Sequence, residues 1–142
     1  MEKQELKDFE LLINIFFPFA EELLLKFGEF LPFAGAINNA GDVVSVGDHE
    51  QGASVQPGDL VGSLKNTLRT GNENFKAGTV FYDVRTKDND TGAVSDAIAV
   101  YIEHRDGKSA YEFFYPYTIS EQQISIDESF GNELQKEIFR ST

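Results

Sequence analysis

The stretch from Asp96 to Tyr117 constrains the chain more than any other: Asp-Ala-Ile-Ala-Val-Tyr-Ile-Glu-His-Arg-Asp-Gly-Lys-Ser-Ala-Tyr-Glu-Phe-Phe-Tyr-Pro-Tyr. Two runs rich in aliphatic and aromatic residues flank Asp106-Gly107, a dipeptide that tolerates the positive φ angles of a tight hairpin turn. Counting outward from that turn sets a register in which Glu103 faces Ala110, Ile102 faces Tyr111, Val100 faces Phe113 and Ile98 faces Tyr115. Side chains alternate along a strand, so Ile98, Val100, Ile102, Tyr111, Phe113 and Tyr115 share one face. Ala99, Tyr101, Glu103, Ala110, Glu112 and Phe114 share the other, which is mixed.

The remaining segments supply the partners such a hairpin needs. From Glu2 to Phe27 apolar residues recur at Leu6, Phe9, Leu12/Ile13, Phe16, Ala20, Leu23/Leu24 and Phe27, the spacing of an amphipathic helix. Pro18 has no N–H for the carbonyl of Asn14, which predicts a helix kinked there or, the favoured reading, two helical pieces, with Gly28 ending the last turn. Pro32–Asn38 and Asp42–Gly47 predict a second hairpin through Asn39-Ala40-Gly41, and the small residues Ala34, Gly35 and Ala36 predict close approach of a helix there. A polar loop over 48–56 leads to a helix from Pro57 to Arg69, with Leu60, Val61, Leu64 and Leu68 on one face. Thr79–Arg85 is a third strand. Ile124-Ser-Ile126 follows the main hairpin, and Phe130, Leu134 and Ile138 predict a short helix over Glu128–Phe139.

The expectation is one α+β domain spanning residues 1–142, with about five antiparallel strands (a hairpin plus a three-strand meander) packed against helices. Its order, helix-hairpin-helix-meander-helix, resembles roadblock/longin-type, profilin-like domains, in which helices sandwich a five-stranded sheet. Three segments together, Phe27–Phe33, Phe81–Arg85 and Asp96–Gly107 with Phe114–Tyr117, also resemble a scattered set of small bacterial proteins. That resemblance implies no catalytic residue, substrate or cofactor, and fold alone carries little functional information.

Charge and composition narrow the function. With 24 acidic and 12 basic residues the formal charge is −12, a field that repels phosphate backbones and anionic membranes and suits a basic protein partner or plain solubility. The absence of cysteine removes disulfide, thiolate-metal and cysteine-nucleophile chemistry. The apolar run Leu11–Ala20 is cut by Glu21-Glu22, short of the roughly 20 apolar residues of a membrane span, and the acidic start at Glu2–Glu10 is unlike a signal peptide. A cytoplasmic location is therefore expected.

Candidate sites are few. Asp48-His49-Glu50 puts three potential metal ligands in a row, the basis of an alternative reading as a metal-assisted hydrolase, although adjacent side chains converge poorly on one ion. His104 is expected at a partly exposed strand end, directed with Ile102 towards a helix. Asp88-Asn-Asp-Thr-Gly92 begins like a calcium loop but lacks the later ligands, with Gly92 and Ala99 where oxygens are required. Asp83, Arg85, Glu103 and Glu112 are expected together on the mixed face, as a surface ion-pair set or, less simply, as acid–base groups. Tyr101 and Phe114, flanked by Glu103 and Glu112 with Arg85 nearby, are expected to form a recognition patch unless the Pro57–Arg69 helix caps them. The leading reading is a non-enzymatic, acidic interaction module for another protein or for itself, as a homodimer through a sheet edge or the N-terminal helix. A further alternative is a small-molecule sensor with a closed apolar pocket between sheet and helix.

Overall fold

The structure, a computed structural model, describes residues 1–47, 57–87, 90–92 and 94–140. Helix α1 (Lys3–Phe27) precedes the hairpin β1 (Phe33–Asn38) and β2 (Val43–Val46). Helix α2 (Pro57–Thr70) and a 3-10 turn (Asn72–Asn74) lead to the long strands β3 (Phe75–Lys87), β4 (Val94–His104) and β5 (Ala110–Ser120). Two short strands, β6 (Gln123–Ile126) and β7 (Phe130–Leu134), end the order. Among the described residues this is an α+β fold with two helices and one seven-stranded antiparallel sheet, ordered β2-β1-β3-β4-β5-β6 with β7 also on β5. The expected count of about five strands is too low by the two short strands after β5.

The main hairpin keeps the expected register: Glu103 pairs with Ala110, Ile102 with Tyr111, Val100 with Phe113 and Ile98 with Tyr115. Its turn is different. The Arg105 N–H goes to the carbonyl of Lys76, the Gly107 N–H to that of His104 and the Asp106 N–H to His104 Nδ1. Gly107 is not among the residues with positive φ, so a wider loop replaces the tight turn. Both loops share one midpoint, between residues 106 and 107, which is why the register survives.

Helix α1 runs unbroken through Pro18, correcting the expected split. Phe9, Leu12, Phe16, Ala20, Leu23 and Leu24 fall on one stripe and bury against Phe33, Phe81, Ile98, Val100 and Ile102. Asn14 and Pro18 lie on the exposed side, so water can bond the carbonyl that Pro18 leaves unpaired, while both helical halves keep their packing. The stripe is rotated slightly from the expected one: Leu6 and Phe27 are exposed, and Glu5 and Asp8 are buried. The Phe16 ring sits directly on Gly35, where a Cβ would come 2.1 Å from it.

Helix α2 covers the opposite face. Leu64 and Leu68 pack on Ala34, Ala36, Val80, Tyr101 and Ala110, and the small residues of β1 let the helix come close, as expected. The expected helix over Glu128–Phe139 does not form. Phe130–Leu134 is instead a strand on the outer edge of β5, pairing Phe130 with Phe114 and Leu134 with Ala110. Ile126 pairs with Tyr117 and Phe130 with Phe114, so the edge carries one more residue than β5 over that span, a bulge. The bulge falls beside Pro116, whose carbonyl accepts from the Asp127 N–H and which has no N–H to return. With a strand where the last helix is expected, the element order departs from the profilin-like one at its last member.

Candidate functional site

Strand β4 brings Tyr101 and Glu103 to the α2 face two residues apart, and both are fully buried. The Tyr101 hydroxyl donates to Glu103 Oε2 at 2.6 Å, and the Lys65 ammonium lies 4.0 Å from the centre of its ring. Glu103 also collects three successive backbone N–H groups: Glu137 at 2.9 Å and Ile138 at 2.8 Å on Oε2, and Phe139 at 3.0 Å on Oε1. Converging N–H groups form a cradle for an anion, here occupied by the chain's own carboxylate. It fixes the C-terminal segment so that Ile138 fills the space beside Leu64 and Leu68. Burial, and then the bond to Glu103, push the Tyr101 hydroxyl far above the usual tyrosine range. Neither residue offers surface to a partner.

Glu112 and Phe114 lie farther along the same face, beyond α2. The Tyr82 hydroxyl donates to Glu112 Oε2, and burial raises the Glu112 carboxyl against the lowering pull of Lys65. Phe114 is half-buried and stacks on Phe130 with ring centres 5.2 Å apart; Phe130 itself is 50% exposed. Phe130 lay in the segment expected to be helical, so its place beside Phe114 was not foreseen. The sequence signal is Gly131, which follows it and disfavours a helix interior; in the strand a Cβ there would come 2.5 Å from the Phe113 ring.

Asp83 and Arg85 do not join this group. Asp83 pairs with Ile98 and Arg85 with Asp96, which puts both on the α1 face, whereas Glu103 and Glu112 are on the α2 face. The expected four-residue cluster is thus divided by the sheet. Asp83 accepts from the Tyr117 hydroxyl at 2.8 Å in a cleft of about 270 Å³ that also includes Glu29, Asp96 and Arg85. Burial, with help from Asp96 and Glu29 and against the Tyr117 bond, pushes the Asp83 carboxyl up to about 6. Arg85 is 80% exposed, its Nε 3.6 Å from Asp96 Oδ1.

His104, expected at a partly exposed edge, is 2% exposed beneath α1, beside Phe9. Its Nε2 is 2.8 Å from Asp8 Oδ2, and its Nδ1 accepts the Asp106 N–H at 3.1 Å. An acceptor role at Nδ1 assigns the proton to Nε2, which donates to Asp8. An Asp–His pair is the orienting half of a nucleophilic triad. Here the nitrogen that would serve a nucleophile holds a backbone N–H, so the pair clamps the turn to α1. The signal for it was Asp8 itself, a charge on the buried stripe one turn before Leu12.

Asp48, His49 and Glu50 lie outside the described residues, as do Asp88 and Asn89 of the calcium-like loop. Among the described residues, no group of three or more His, Cys, Asp or Glu side chains is placed to hold a metal ion. No described helix is long and apolar enough to cross a membrane. The chain matches no family model, no curated protein and no solved structure.

Proposed function

We propose that the chain is a non-enzymatic interaction module that binds a basic partner protein through the half of its sheet left open by α2. The observation that carries this reading is the Phe114–Phe130 stack, an aromatic pair standing at the surface with one ring half-exposed. Aromatic anchors with a polar surround are what protein interfaces concentrate their energy in. The charge of −12 selects the partner: two copies would repel, whereas a basic surface would be drawn in. A heterotypic partner is therefore favoured over a homodimer.

A displayed peptide library tests this. The wild-type chain is expected to select peptides that combine lysine or arginine with apolar residues, with affinities that fall as salt rises. Phe130→Ser should fold and lose at least about tenfold in affinity for them, the loss typical of one interface anchor. Equal binding by Phe130→Ser, or selection of peptides without basic residues, would overturn the reading. A concentration-dependent dimer that Phe130→Ser abolishes would replace the basic partner with a second copy.

A further inference from the structure

A second recognition feature lies on the other side of the sheet, at the N-terminal end of α1. There Glu5 reaches under the β4–β5 loop and is 5% exposed. Its Oε1 receives the Glu2 N–H at a long 3.4 Å as part of a capping box, but its buried Oε2 has no hydrogen-bond partner. A buried carboxylate oxygen without a donor is costly, and a native fold that keeps one calls for an explanation.

The surroundings supply one. Glu5 forms part of a cleft of about 230 Å³ with Met1, Glu2, Asp106, Lys108, Tyr111 and Glu133. Four of these side chains are acidic and one is basic. Lys136, on the C-terminal segment, donates instead to the carbonyls of Arg105 at 3.1 Å and Gly107 at 2.7 Å, and the loop's other cation, Arg105, is engaged by Asn39 Oδ1 at 2.9 Å. Gly107 lies against the orphan oxygen, where a Cβ would come 2.5 Å from Oε2, so only glycine leaves room beside it. The Tyr111 ring, stacked on Phe113, gives the cleft an aromatic wall of the kind that attracts cations. Glu133 is steadied by the Ser109 hydroxyl at 2.6 Å.

We propose that this cleft binds one alkylammonium or guanidinium head group, with Glu5 Oε2 as the buried acceptor, Tyr111 as the wall, and Asp106 and Glu133 at the mouth. The same chemistry is presented by a lysine or arginine side chain and by a free amine. The site is separate from the Phe114–Phe130 surface, because Tyr111 and Glu133 pair on the α1 side of the sheet.

The test is an amide NMR titration of the full chain at constant ionic strength with n-butylammonium, Nα-acetyl-lysine methylamide and tetramethylammonium. Saturable shifts at Gly107 and Lys108 are expected for the first two probes. Tetramethylammonium, which has no N–H, should bind at least about tenfold more weakly. Tighter binding of the lysine derivative assigns the site to a protein side chain, and tighter binding of the simple amine to a small molecule. Glu5→Gln keeps a capping-box acceptor and should weaken both amines by about tenfold or more. Gly107→Ala should block them by occupying the space beside Oε2. Absence of saturable shifts in the wild-type chain, or equal binding of tetramethylammonium, would overturn the proposal.

Discussion

The two faces of the sheet solve burial in opposite ways. The α1 face is largely apolar and is covered along its centre by a 25-residue helix whose rings interlock with those of the strands: Phe16 meets Phe81 at 6.3 Å and Phe17 meets Tyr115 at 4.9 Å. The α2 face has a helix of 14 residues, which meets β5 only at Ala110 and leaves the rest of that strand uncovered. It completes its cover with an extended C-terminal segment held by one buried carboxylate, and leaves Phe114 and Phe130 open. One face thus spends its aromatic residues on cohesion, and the other keeps a pair of them at the surface.

If that contrast holds, the largest effect belongs to the closed face. Phe81→Ala removes a fully buried ring that touches Phe16, Phe17 and Phe33, and should cost about 3–5 kcal/mol in urea unfolding. A loss below about 1 kcal/mol would mean that α1 is not seated as described. On the opposite face Glu103→Gln keeps the shape but turns donors towards N–H groups, and should cost about 3 kcal/mol. Amide exchange at Phe139 should speed up most, because glutamine keeps one oxygen for Tyr101, Glu137 and Ile138 and turns its NH2 towards the Phe139 N–H. Unchanged exchange there would show that the tail is held by something else.

The third prediction concerns pH. A carboxyl raised in the folded state leaves the native chain holding more protons than the unfolded one between about pH 4 and about pH 6. The Asp83 contribution to stability is therefore greatest below about pH 4 and is lost as pH rises through about 6. The shift alone would correspond to more, but solvent screening at this half-exposed site reduces it to on the order of 1 kcal/mol. Asp83→Asn should flatten that part of the stability–pH curve. The smallest effect is expected at Phe130→Ser, about 0.5 kcal/mol in stability, since half the ring is already in water. A cost of several kcal/mol would make Phe130 a core residue and erase the difference between the faces.

How far the sequence revealed this arrangement depended on distance along the chain. The main hairpin was legible because its alternation and its midpoint are local. Helix α2 and the small-residue strand β1 were legible for the same reason. The C-terminal segment was not: Phe130, Leu134 and Ile138 have helical spacing, but their conformation is decided by the edge of β5, 16 to 24 residues away, and by Glu103, 35 residues from Ile138. The face of Asp83 and Arg85 is not legible in the sequence, because it depends on the pairing of β3 with β4, which no tight turn between them fixes. Tyr101 was readable as buried only through the option that α2 caps it, and Glu103 only once its three backbone donors were in place. Asp8 and Glu5 give no burial signal in a stripe defined by the apolar residues of α1 alone.

Oxidative footprinting of Phe114 and Phe130, with and without a basic peptide selected by the wild-type chain, tests the central claim most directly. Both rings should oxidise readily in the free chain and become protected when the peptide binds, while Leu11, Ile15 and Phe19 on the outer side of α1 stay unchanged. Protection of the α1 residues with Phe114 and Phe130 unaffected would contradict the account.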